Sequence, residues 1–293
     1  MAEARGEPSS VAEPSLHMGQ LLATGSLVYS ALTAGLHPLA LLKTRMQAHA
    51  TQLSHRSAAA EVWRAAGVRG FFKGLGPVLA GAVPARATYI VALEGTRPYA
   101  LAAARRAQLS DAAASVVSGG TAGFSAVLAS QVIYVPVDVV TQRLMVTDGS
   151  SIGGVLRHLM HTAGPLGLYR GFTISLLTYL PGGTIWWGSY GGARSLASSA
   201  APRAPELLAQ SGCAAVAAAC VVLATGPLDV VKTRVQLADA SSSGSILAVA
   251  RQLARAEGVR GFYRGTLPRW GHMSLWGTCV ISVYEALLRR CTF

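Results

Sequence analysis

One ten-residue pattern occurs three times in this sequence and decides its fold. The copies read PLALLKTRMQ at Pro38–Gln47, PVDVVTQRLM at Pro136–Met145 and PLDVVKTRVQ at Pro227–Gln236. Their first residues are 98 and 91 positions apart, which is a nearly constant period. A compound pattern that returns at a nearly fixed period is typical of a repeat architecture, so the chain consists of three similar units.

A second pattern follows each copy and completes the unit. It reads GVRGFFKG at Gly67–Gly74, GPLGLYRG at Gly164–Gly171 and GVRGFYRG at Gly258–Gly265. The two patterns together divide the chain into a flexible N-terminal tail and three repeat units. These four segments are predicted at residues 1–19, 20–104, 110–198 and 206–290.

The composition is that of a membrane protein. Of the 293 residues, 51% are hydrophobic and 13% are charged, against roughly 25% charged residues in soluble domains. Disordered chains combine low hydrophobicity with high net charge, so this composition excludes disorder. Four cysteines without metal-ligand spacing exclude a disulfide scaffold and a zinc site. No polybasic run accompanies the net charge of +12, so we expect no nucleic-acid partner.

Six stretches are candidates for membrane spans. Four of them are uncharged and close to the roughly 20 residues that cross a hydrocarbon core. The other two are weaker, because charged residues such as Arg86 and Glu285 interrupt or bound them. The uncharged stretches are 20–42, 112–137, 171–193 and 207–228, and the weaker ones are 75–93 and 270–284.

The two patterns resemble those of the mitochondrial carrier family (solute carrier 25), whose repeat combines Px[DE]xx[KR]x[KR] with [DE]Gxxxx[FYW][KR]G. The resemblance covers residues 20–290 and implies an all-α membrane protein. Six transmembrane helices in three tandem repeats would surround a central cavity, with short matrix helices and kinks at Pro38, Pro136 and Pro227. The implied protein is a transporter. The sequence shows no readable catalytic arrangement or metal-ligand cluster, so we expect no enzyme, cofactor or metal. The oligomeric state stays open, and three repeats that close one cavity make a monomer sufficient. The implied partners are a small-molecule substrate and the lipid bilayer, with cardiolipin at the matrix helices.

Basic residues are distributed unevenly about the spans. Sixteen lie between the first and second span of the three units, and eight lie on the other side, termini included. An excess of Lys and Arg marks the side that is retained during membrane insertion. The family resemblance makes this side the matrix, so both termini are expected in the intermembrane space of mitochondria, with the chain in the inner membrane.

An acidic and a basic position lie three residues apart in the first pattern, near one face of a helix. The positions are Ala40 and Lys43, Asp138 and Thr141, and Asp229 and Lys232. If each acid faces the base of the next unit, Asp138 meets Lys232. Asp229 then meets Lys43. The two positions that lack a charge, Ala40 and Thr141, face each other. The opposite direction would leave charges unpaired in the membrane, which is costly, so we predict a matrix gate with these pairs. The bracing amides of the family correspond to Gln47 and Gln236, with Met145 in the second unit.

The same spacing recurs in the second spans. The positions are Glu94 and Arg97, Gly191 and Arg194, and Glu285 and Leu288. The cyclic rule pairs Glu94 with Arg194. Glu285 pairs with Arg97, and the remaining two positions have lost both charges together. These four residues are the predicted cytoplasmic gate, and two gates that open in turn around a fixed site give alternating access.

Solute contacts are predicted between the two gates, at positions where the three units differ. Seven and eight residues after the last glycine of the second pattern, the family resemblance places substrate contact points. An arginine inside a span is a functional candidate, and its guanidinium suits a carboxylate. The predicted contact residues are Arg86, Thr178, Tyr179, Trp186, Arg269, His272 and Met273. Snorkelling arginines, a packing histidine and an interfacial tryptophan belt are the structural alternatives.

The residues between the gates favour a small monocarboxylate with an apolar side chain. One or two cations are available, no acid lies between the gates on the second spans, and aromatic residues are present. Val135–Met145 and Ser175–Pro181, followed by Trp186, are similar to the branched-chain amino-acid carrier subgroup, which implies leucine, isoleucine and valine as solutes. A carrier of the corresponding keto acid, and a receptor or scaffold that no longer transports, are the alternatives.

Overall fold

The structure is a computed structural model that describes the backbone of residues 15–48, 54–200, 203–238 and 245–291, with side chains except at 15–26, 111–112, 115–116 and 283–291. These residues form nine α-helices, one 3-10 helix and no strands. The α-helices are α1 (Ser15–Ala48), α2 (His55–Gly70), α3 (Leu75–Arg106), α4 (Asp111–Val146), α5 (Ile152–Ala163), α6 (Phe172–Ala200), α7 (Glu206–Leu237), α8 (Ile246–Gly261) and α9 (Thr266–Cys291). The 3-10 helix is Pro165–Tyr169.

Each repeat unit contributes a long first helix (α1, α4, α7), a short helix (α2, α5, α8) and a long second helix (α3, α6, α9). The prolines of the first pattern lie inside the first helices, at Pro38, Pro136 and Pro227. Proline removes a backbone hydrogen bond, and neighbouring helices make that tolerable within a bundle. The all-α fold with three tandem repeats, predicted from the motifs, is confirmed.

The six long helices pack in a closed ring. α1 packs against α3 and α9, α3 against α4, α4 against α6, α6 against α7, and α7 against α9. Contact between α1 and α9 joins the first unit to the last, so the three units close on themselves. The first helices also touch one another directly, which brings their patterned segments together at one end of the ring.

Each second helix follows a glycine whose backbone conformation and close packing disfavour any side chain. Gly74, Gly171 and Gly265 have φ values of +87°, +79° and +69°, a left-handed conformation that side chains disfavour. Each also packs closely against the first helix of another unit. A Cβ on Gly74 would meet Thr141 at 3.2 Å, and one on Gly265 would meet the Lys43 carbonyl at 3.0 Å. This glycine of the second pattern therefore fixes the spacing between units.

The short helices pack their apolar faces under the first helices. Leu159 of α5 is buried with Val135 and Val139 of α4, and Leu253 of α8 is buried with Val230 of α7. In the first unit, Val62 of α2 packs with the first helix in a third cluster. Each buried aliphatic side chain contributes about 1.5 to 3 kcal/mol, so these clusters anchor the short helices to the ring.

The ranking of the spans by charge was wrong in part. Among the described residues, three helices are long and apolar enough to cross a membrane, namely Leu75–Arg106, Val117–Val146 and Glu206–Leu237. The first of these contains the span predicted as weak, and α6, predicted as strong, does not reach the same hydropathy. Part of the predicted first span, residues 20–26, lies outside the described side chains. α6 contains glycines and hydroxyl residues in place of aliphatic ones, as expected for a helix that lines a polar cavity.

Candidate solute site and closing networks

The matrix network comprises Lys43, Asp138, Asp229 and Lys232 with the amides Gln47 and Gln236, and is named after its predicted side. Nζ of Lys43 lies 2.7 Å from Oδ2 of Asp229. Nζ of Lys232 lies 2.7 Å from Oδ2 of Asp138. Both pairs join neighbouring units in the predicted direction. The Lys232 and Asp229 side chains are only 4% and 7% exposed, so removing one partner would leave a buried charge unpaired.

Side-chain amides hold both carboxylates of the matrix network. Nε2 of Gln47 donates to Oδ2 of Asp229 over 2.8 Å, and Nε2 of Gln236 donates to Oδ2 of Asp138 over 3.1 Å. Gln142, which was not predicted, donates to Oδ1 of Asp138 over 3.0 Å. Charge-assisted hydrogen bonds of this kind fix a carboxylate in place, so each ion pair has a bracing amide from another helix.

The interface between the first and second units contains no such pair. Met145 is buried in an apolar cluster with Leu41 and Val62, and Ala40 packs against this cluster. Thr141 is buried as well, and its hydroxyl has no hydrogen-bond partner among the described residues. Met145 occupies the position of the amide that would brace the missing pair. The pair and its brace have therefore been lost together.

A ring of arginines surrounds the matrix network. Nε of Arg45 donates to the Met145 carbonyl over 2.8 Å, and Nε of Arg234 donates to the Gln47 carbonyl over 3.0 Å. Nη2 of Arg143 donates to the carbonyl of residue 238 over 2.9 Å. These carbonyls lie at the C-terminal ends of first helices, where unsatisfied acceptors and the helix dipole favour a cation. Each arginine thus connects its unit to the next in the same cyclic order.

Two acids that were not predicted hold this arginine ring. Glu257 pairs with Arg234 at 2.7 Å and with Arg264 at 2.9 Å. Asp148 pairs with Arg45 at 2.5 Å, across the interface of the first and second units. The family motif has an acid before its first glycine, and Glu257 occupies this position, so the motif could have identified it as a functional acid. Nothing in the motif points to Asp148. Partial burial lowers the pKa of Lys73, which donates to the Thr147 carbonyl, while Asp148 opposes this shift.

Two predicted contact residues have protein partners in this structure. The hydroxyl of Tyr179 accepts a hydrogen bond from Nζ of Lys232 over 3.2 Å, and the same ammonium lies 4.5 Å from the centre of its ring. Tyr134 contacts the other side of that ring edge-on. Oγ1 of Thr178 donates to the Ile174 carbonyl over 2.7 Å, and Thr178 is buried. Tyr179 therefore belongs with the matrix network rather than to a free cation-binding surface.

Arg269 adds a third cation to the two carboxylates of the matrix network. Its Nε lies 3.6 Å from Oδ2 of Asp229, and its Nη2 donates to Oγ1 of Thr225 over 2.8 Å. Nη1 of Arg269 is buried without a hydrogen-bond partner among the described residues. The cluster of Lys43, Lys232 and Arg269 with two acids therefore carries a surplus positive charge.

Arg86 and His272 lie close to a group of aromatic residues on α1 and α9. On α9, Arg269, His272 and Trp276 are three and four residues apart and share one face, which touches the matrix network through Arg269. The His272 ring stacks on Trp276 with centroids 6.3 Å apart, and Tyr29 of α1 contacts Trp276 edge-on at 4.9 Å. Arg86 lies within electrostatic range of Tyr29.

The Arg86 side chain is exposed and has only an aromatic contact. Its Cζ lies 5.4 Å above the ring of Tyr89, one turn further along α3. It forms no ion pair with any residue that the structure describes. An exposed guanidinium with no acidic partner among the described residues is available to an anionic solute. Met273, the remaining predicted contact, is half-buried on α9.

The two neighbouring tryptophans of α6 have different surroundings. Trp187 is 66% exposed and contacts Tyr190 edge-on. Trp186 is half-buried, and its indole reaches Gly277 of α9, which itself lies close to Ala214 of α7. Residues 178, 182 and 186 are four apart and share one face of α6, so Trp186 projects from the face that carries Thr178.

The cytoplasmic network comprises Glu94, Arg97, Arg194 and Glu285, and its predicted pairs are not seen here. Arg194 pairs with Glu206 of α7 and not with Glu94. Glu94 and Arg97 are exposed, and neither forms an ion pair with described residues. The side chain of Glu285 lies outside the described residues. The two networks therefore differ in state, since the matrix network is closed and the Glu94 pair is open.

The fold and the two networks define a multi-pass membrane transporter of three repeats. A family model described as mitochondrial carrier protein matches residues 14–102, 110–200 and 204–292. The chain therefore belongs to the mitochondrial carrier family, and its members place it in the mitochondrial inner membrane.

Individual relatives span most of this chain. It is 30% identical over 263 residues to solute carrier family 25 member 44 of Homo sapiens, which covers 81% of this chain and 80% of the relative. It is 29% identical over 254 residues to the mitochondrial S-adenosylmethionine carrier protein of Xenopus laevis, with 85% and 89% covered. It is 29% identical over 295 residues to mitoferrin of Dictyostelium discoideum, with 90% and 91% covered. Relatives of similar identity thus bear different names, and the solute has to be argued from the cavity.

Proposed function

We propose that this mitochondrial carrier moves small apolar amino acids, foremost leucine, isoleucine and valine, across the inner membrane. The observation that carries the proposal is the charge of the cavity. Cations outnumber carboxylates around the matrix network, and Arg86 faces the cavity without an acidic partner. Such a site suits one carboxylate, whereas a nucleotide or a dicarboxylate would require more cations.

Arg86 is the proposed carboxylate clamp. A guanidinium binds a carboxylate through two parallel hydrogen bonds, which the ammonium of a lysine cannot reproduce. Its guanidinium lies over the Tyr89 ring and forms no ion pair with the residues that the structure describes. Arg269 lies deeper and is tied to Asp229 and Thr225, so it supplies a favourable field for the anion while remaining part of the matrix network.

The ammonium group of the amino acid requires an aromatic surface. Tyr179 already binds Lys232, so the aromatic surface proposed for the ammonium group is that of Tyr29 and Trp276. The faces of tryptophan and tyrosine attract cations within about 6 Å of the ring centre. The aliphatic side chain of the solute then lies against half-buried apolar residues between Tyr179 and the Tyr29–Trp276 pair.

Transport proceeds by alternating access between the two networks. In this structure the matrix network is paired and braced, and Arg194 of the cytoplasmic network is bound to Glu206. Such an arrangement supports a carrier that is closed toward the matrix and receives its solute from the other side. With both termini in the intermembrane space, the cavity of this state faces that space.

Reconstituted exchange tests the solute. Purified protein in liposomes loaded with unlabelled leucine should take up labelled leucine, and Arg86→Ala should lower this uptake about 100-fold. Arg86→Lys should retain part of the uptake, because it keeps the charge and loses the paired hydrogen bonds. Arg105→Ala, at the exposed end of α3, is the matched control and should leave uptake unchanged. Leucine uptake that survives Arg86→Ala would contradict the clamp.

A keto acid is the second candidate, because no free acid faces the predicted ammonium position. Asp138 and Asp229 both have lysine partners in this structure. Labelled 2-ketoisocaproate measured beside leucine separates the two solutes. Uptake of the keto acid alone, still dependent on Arg86, would retain the clamp and overturn the amino-acid assignment. If neither solute enters, the solute assignment is wrong and a receptor or scaffold role gains support.

The membrane itself supplies a further proposed partner. A cavity of about 430 Å³ lies where the start of α2 meets the turn before α9, and is lined by residues that include His55, Arg260 and Arg264. Basic side chains at the N-terminal end of a helix suit a phosphate, which supports cardiolipin at this face. A single chain closes the ring of helices, which supports a monomer as the transporting unit.

A further inference from the structure

The indole of Trp186 occupies a slot that exists only because position 277 is glycine. A Cβ built on Gly277 would overlap Cζ2 and Cη2 of Trp186, and would lie 3.5 Å from the Cβ of Ala214. Gly277 has helical backbone in the middle of α9, so no turn or unusual conformation requires a glycine there. The requirement comes from the indole, which is seated against α9.

This contact joins the two second helices that lie on either side of α7. α6 and α9 both pack against α7, where Ala214 lies close to Gly277, and Trp186 of α6 reaches Gly277 of α9. Trp186 is seven residues beyond Tyr179, which is nearly two full turns, so it projects from the same face of α6 as Tyr179, which touches Lys232 of the matrix network. The indole therefore lies on the side of α6 that faces the matrix network, about 10 Å from Tyr179 along the helix axis.

Arg86 and the Trp186 seat occupy the same level of the repeat. Counted from Gly74 and Gly265, Arg86 and Gly277 are both twelve residues along their second helices. Trp186 is fifteen residues beyond Gly171, which is the position of Tyr89 in the first unit. The ring of Tyr89 carries the Arg86 guanidinium, so the cation and the seated indole lie at one height on different walls of the cavity.

We infer that Trp186, seated against Gly277, forms the surface that limits the size of the solute side chain. This inference rests on the proposed function, because it takes the carboxylate of the solute to bind Arg86. An amino acid anchored there extends its side chain at the height of the indole. A seated indole cannot withdraw toward α9 without colliding with the helix backbone, so the space that remains suits an aliphatic side chain and excludes an aromatic one.

A purely structural role for the contact makes a different prediction. α6 and α9 are also the helices whose cytoplasmic pair is lost, at Gly191 and Leu288. If the indole only held these helices together, its removal would lower stability and overall flux without changing which solutes compete. Size preference is therefore the readout that separates the two roles.

The test is competition for labelled leucine exchange in proteoliposomes by valine, isoleucine, phenylalanine and tryptophan. In the unmodified protein, phenylalanine and tryptophan should compete at least about 10-fold more weakly than isoleucine. Trp186→Ala should reduce this gap to about 3-fold or less, because the slot is opened. Trp187→Ala, which truncates the exposed neighbour, is the matched control and should leave the gap unchanged. An unchanged gap in Trp186→Ala would overturn the inference.

The seat itself has a test that does not depend on transport. Gly277→Ala should lower the thermal unfolding midpoint by about 3 to 8 °C, because overpacking displaces the indole. Gly183→Ala adds a methyl group at the equivalent position of α6, where nothing lies within 4 Å, and should have little effect. In the Trp186→Ala background the cost of Gly277→Ala should disappear. Equal midpoints for Gly277→Ala and Gly183→Ala would show that the seat is absent and overturn the inference.

These outcomes distinguish the inference from the proposed function. If leucine does not exchange in any variant, the solute assignment fails, and the size limit for amino acids fails with it, whatever the unfolding data show. If leucine exchanges normally, but the size preference of Trp186→Ala equals that of the unmodified protein, only the size-limiting role of Trp186 is wrong.

Discussion

The two ends of the helix ring carry the same kind of charged network in opposite states. At the matrix network, Asp138 and Asp229 are paired with lysines, buried and held by amides. At the cytoplasmic network, Glu94 is exposed and Arg194 has turned to Glu206 on a neighbouring helix. Charge and spacing are alike at both ends, so the difference lies in how closely the helices approach. Pairing at one end with separation at the other is the geometry of a carrier open on one side.

A second contrast lies within the matrix network. Two of its three interfaces between units carry a braced lysine–carboxylate pair. At this level the third is an apolar cluster of Ala40, Leu41 and Met145, and the Thr141 hydroxyl has no partner among the described residues. Buried ion pairs gain little over well-packed apolar contacts, but losing one partner is costly. An interface that has lost this pair and its brace is therefore stable, and it leaves two braced lysine–carboxylate pairs to be broken in each cycle, beside the peripheral Arg45–Asp148 pair.

The largest expected effect follows from breaking one ionic interface. Asp229→Asn would leave Lys43 and Arg269 buried without their carboxylate, and we expect leucine exchange to fall about 100-fold or more. Asp148→Asn removes a carboxylate that is half exposed and should cost only a few-fold. Exchange rates in proteoliposomes, corrected for the amount of folded protein, measure both. Similar losses in the two variants would contradict the distinction between the buried network and its periphery.

A third ionic interface can be built to sharpen the comparison. Ala40→Asp together with Thr141→Lys supplies the missing pair, which should stabilise the closed matrix side and slow exchange about 10-fold. The thermal midpoint of the purified double variant should rise relative to either single variant. Each single variant adds an unpaired buried charge and serves as the control. Faster exchange in the double variant than in the unmodified protein would show that the third interface does not limit opening.

The open end should respond less than the closed end. Glu94→Gln removes one charge of the cytoplasmic network, and we expect exchange to fall about 10-fold because the alternate closed state loses a partly solvated pair. The thermal midpoint should hardly change, because Glu94 is exposed in this structure. Measuring both quantities separates a role in the cycle from a role in stability. A large drop in midpoint would argue against an open cytoplasmic end.

The smallest expected effect concerns the bracing amides. Gln47→Leu removes the hydrogen bond to Asp229 and should change exchange by about 3-fold. Met145→Gln is the matched control, because it adds an amide at the equivalent position of the interface that has no charged pair to brace. It should lower stability by burying an unsatisfied amide and leave the solute preference unchanged. An equal gain or loss of exchange in both variants would contradict the bracing role.

The repeat architecture and the partners within the matrix network could be predicted from the sequence for a physical reason. Two patterns at a fixed period identify the units, and the high cost of unpaired charge in a membrane leaves one pairing direction for Asp138 and Asp229. The structure places both predicted pairs in contact. Their function as a gate stays a prediction.

Other features of the site depend on contacts that the sequence does not reveal. Asp148 lies outside both motifs and acts across an interface, so no spacing connects it to Arg45. Trp186 and Trp187 are adjacent, and only the contact of the Trp186 indole with Gly277 of α9 distinguishes the surroundings of the two. Tyr179 was predicted as a solute contact, yet its hydroxyl already accepts a hydrogen bond from Lys232 of α7.

Charge reversal across one buried pair tests the central claim, that paired charges of neighbouring units close the matrix side and open in each cycle. Asp138→Lys and Lys232→Asp should each abolish leucine exchange, since each places like charges together in a buried site. The combined variant restores the pair in reverse and should recover at least about one tenth of the original rate. A combined variant no more active than the single variants would contradict this account, as would single variants that transport normally.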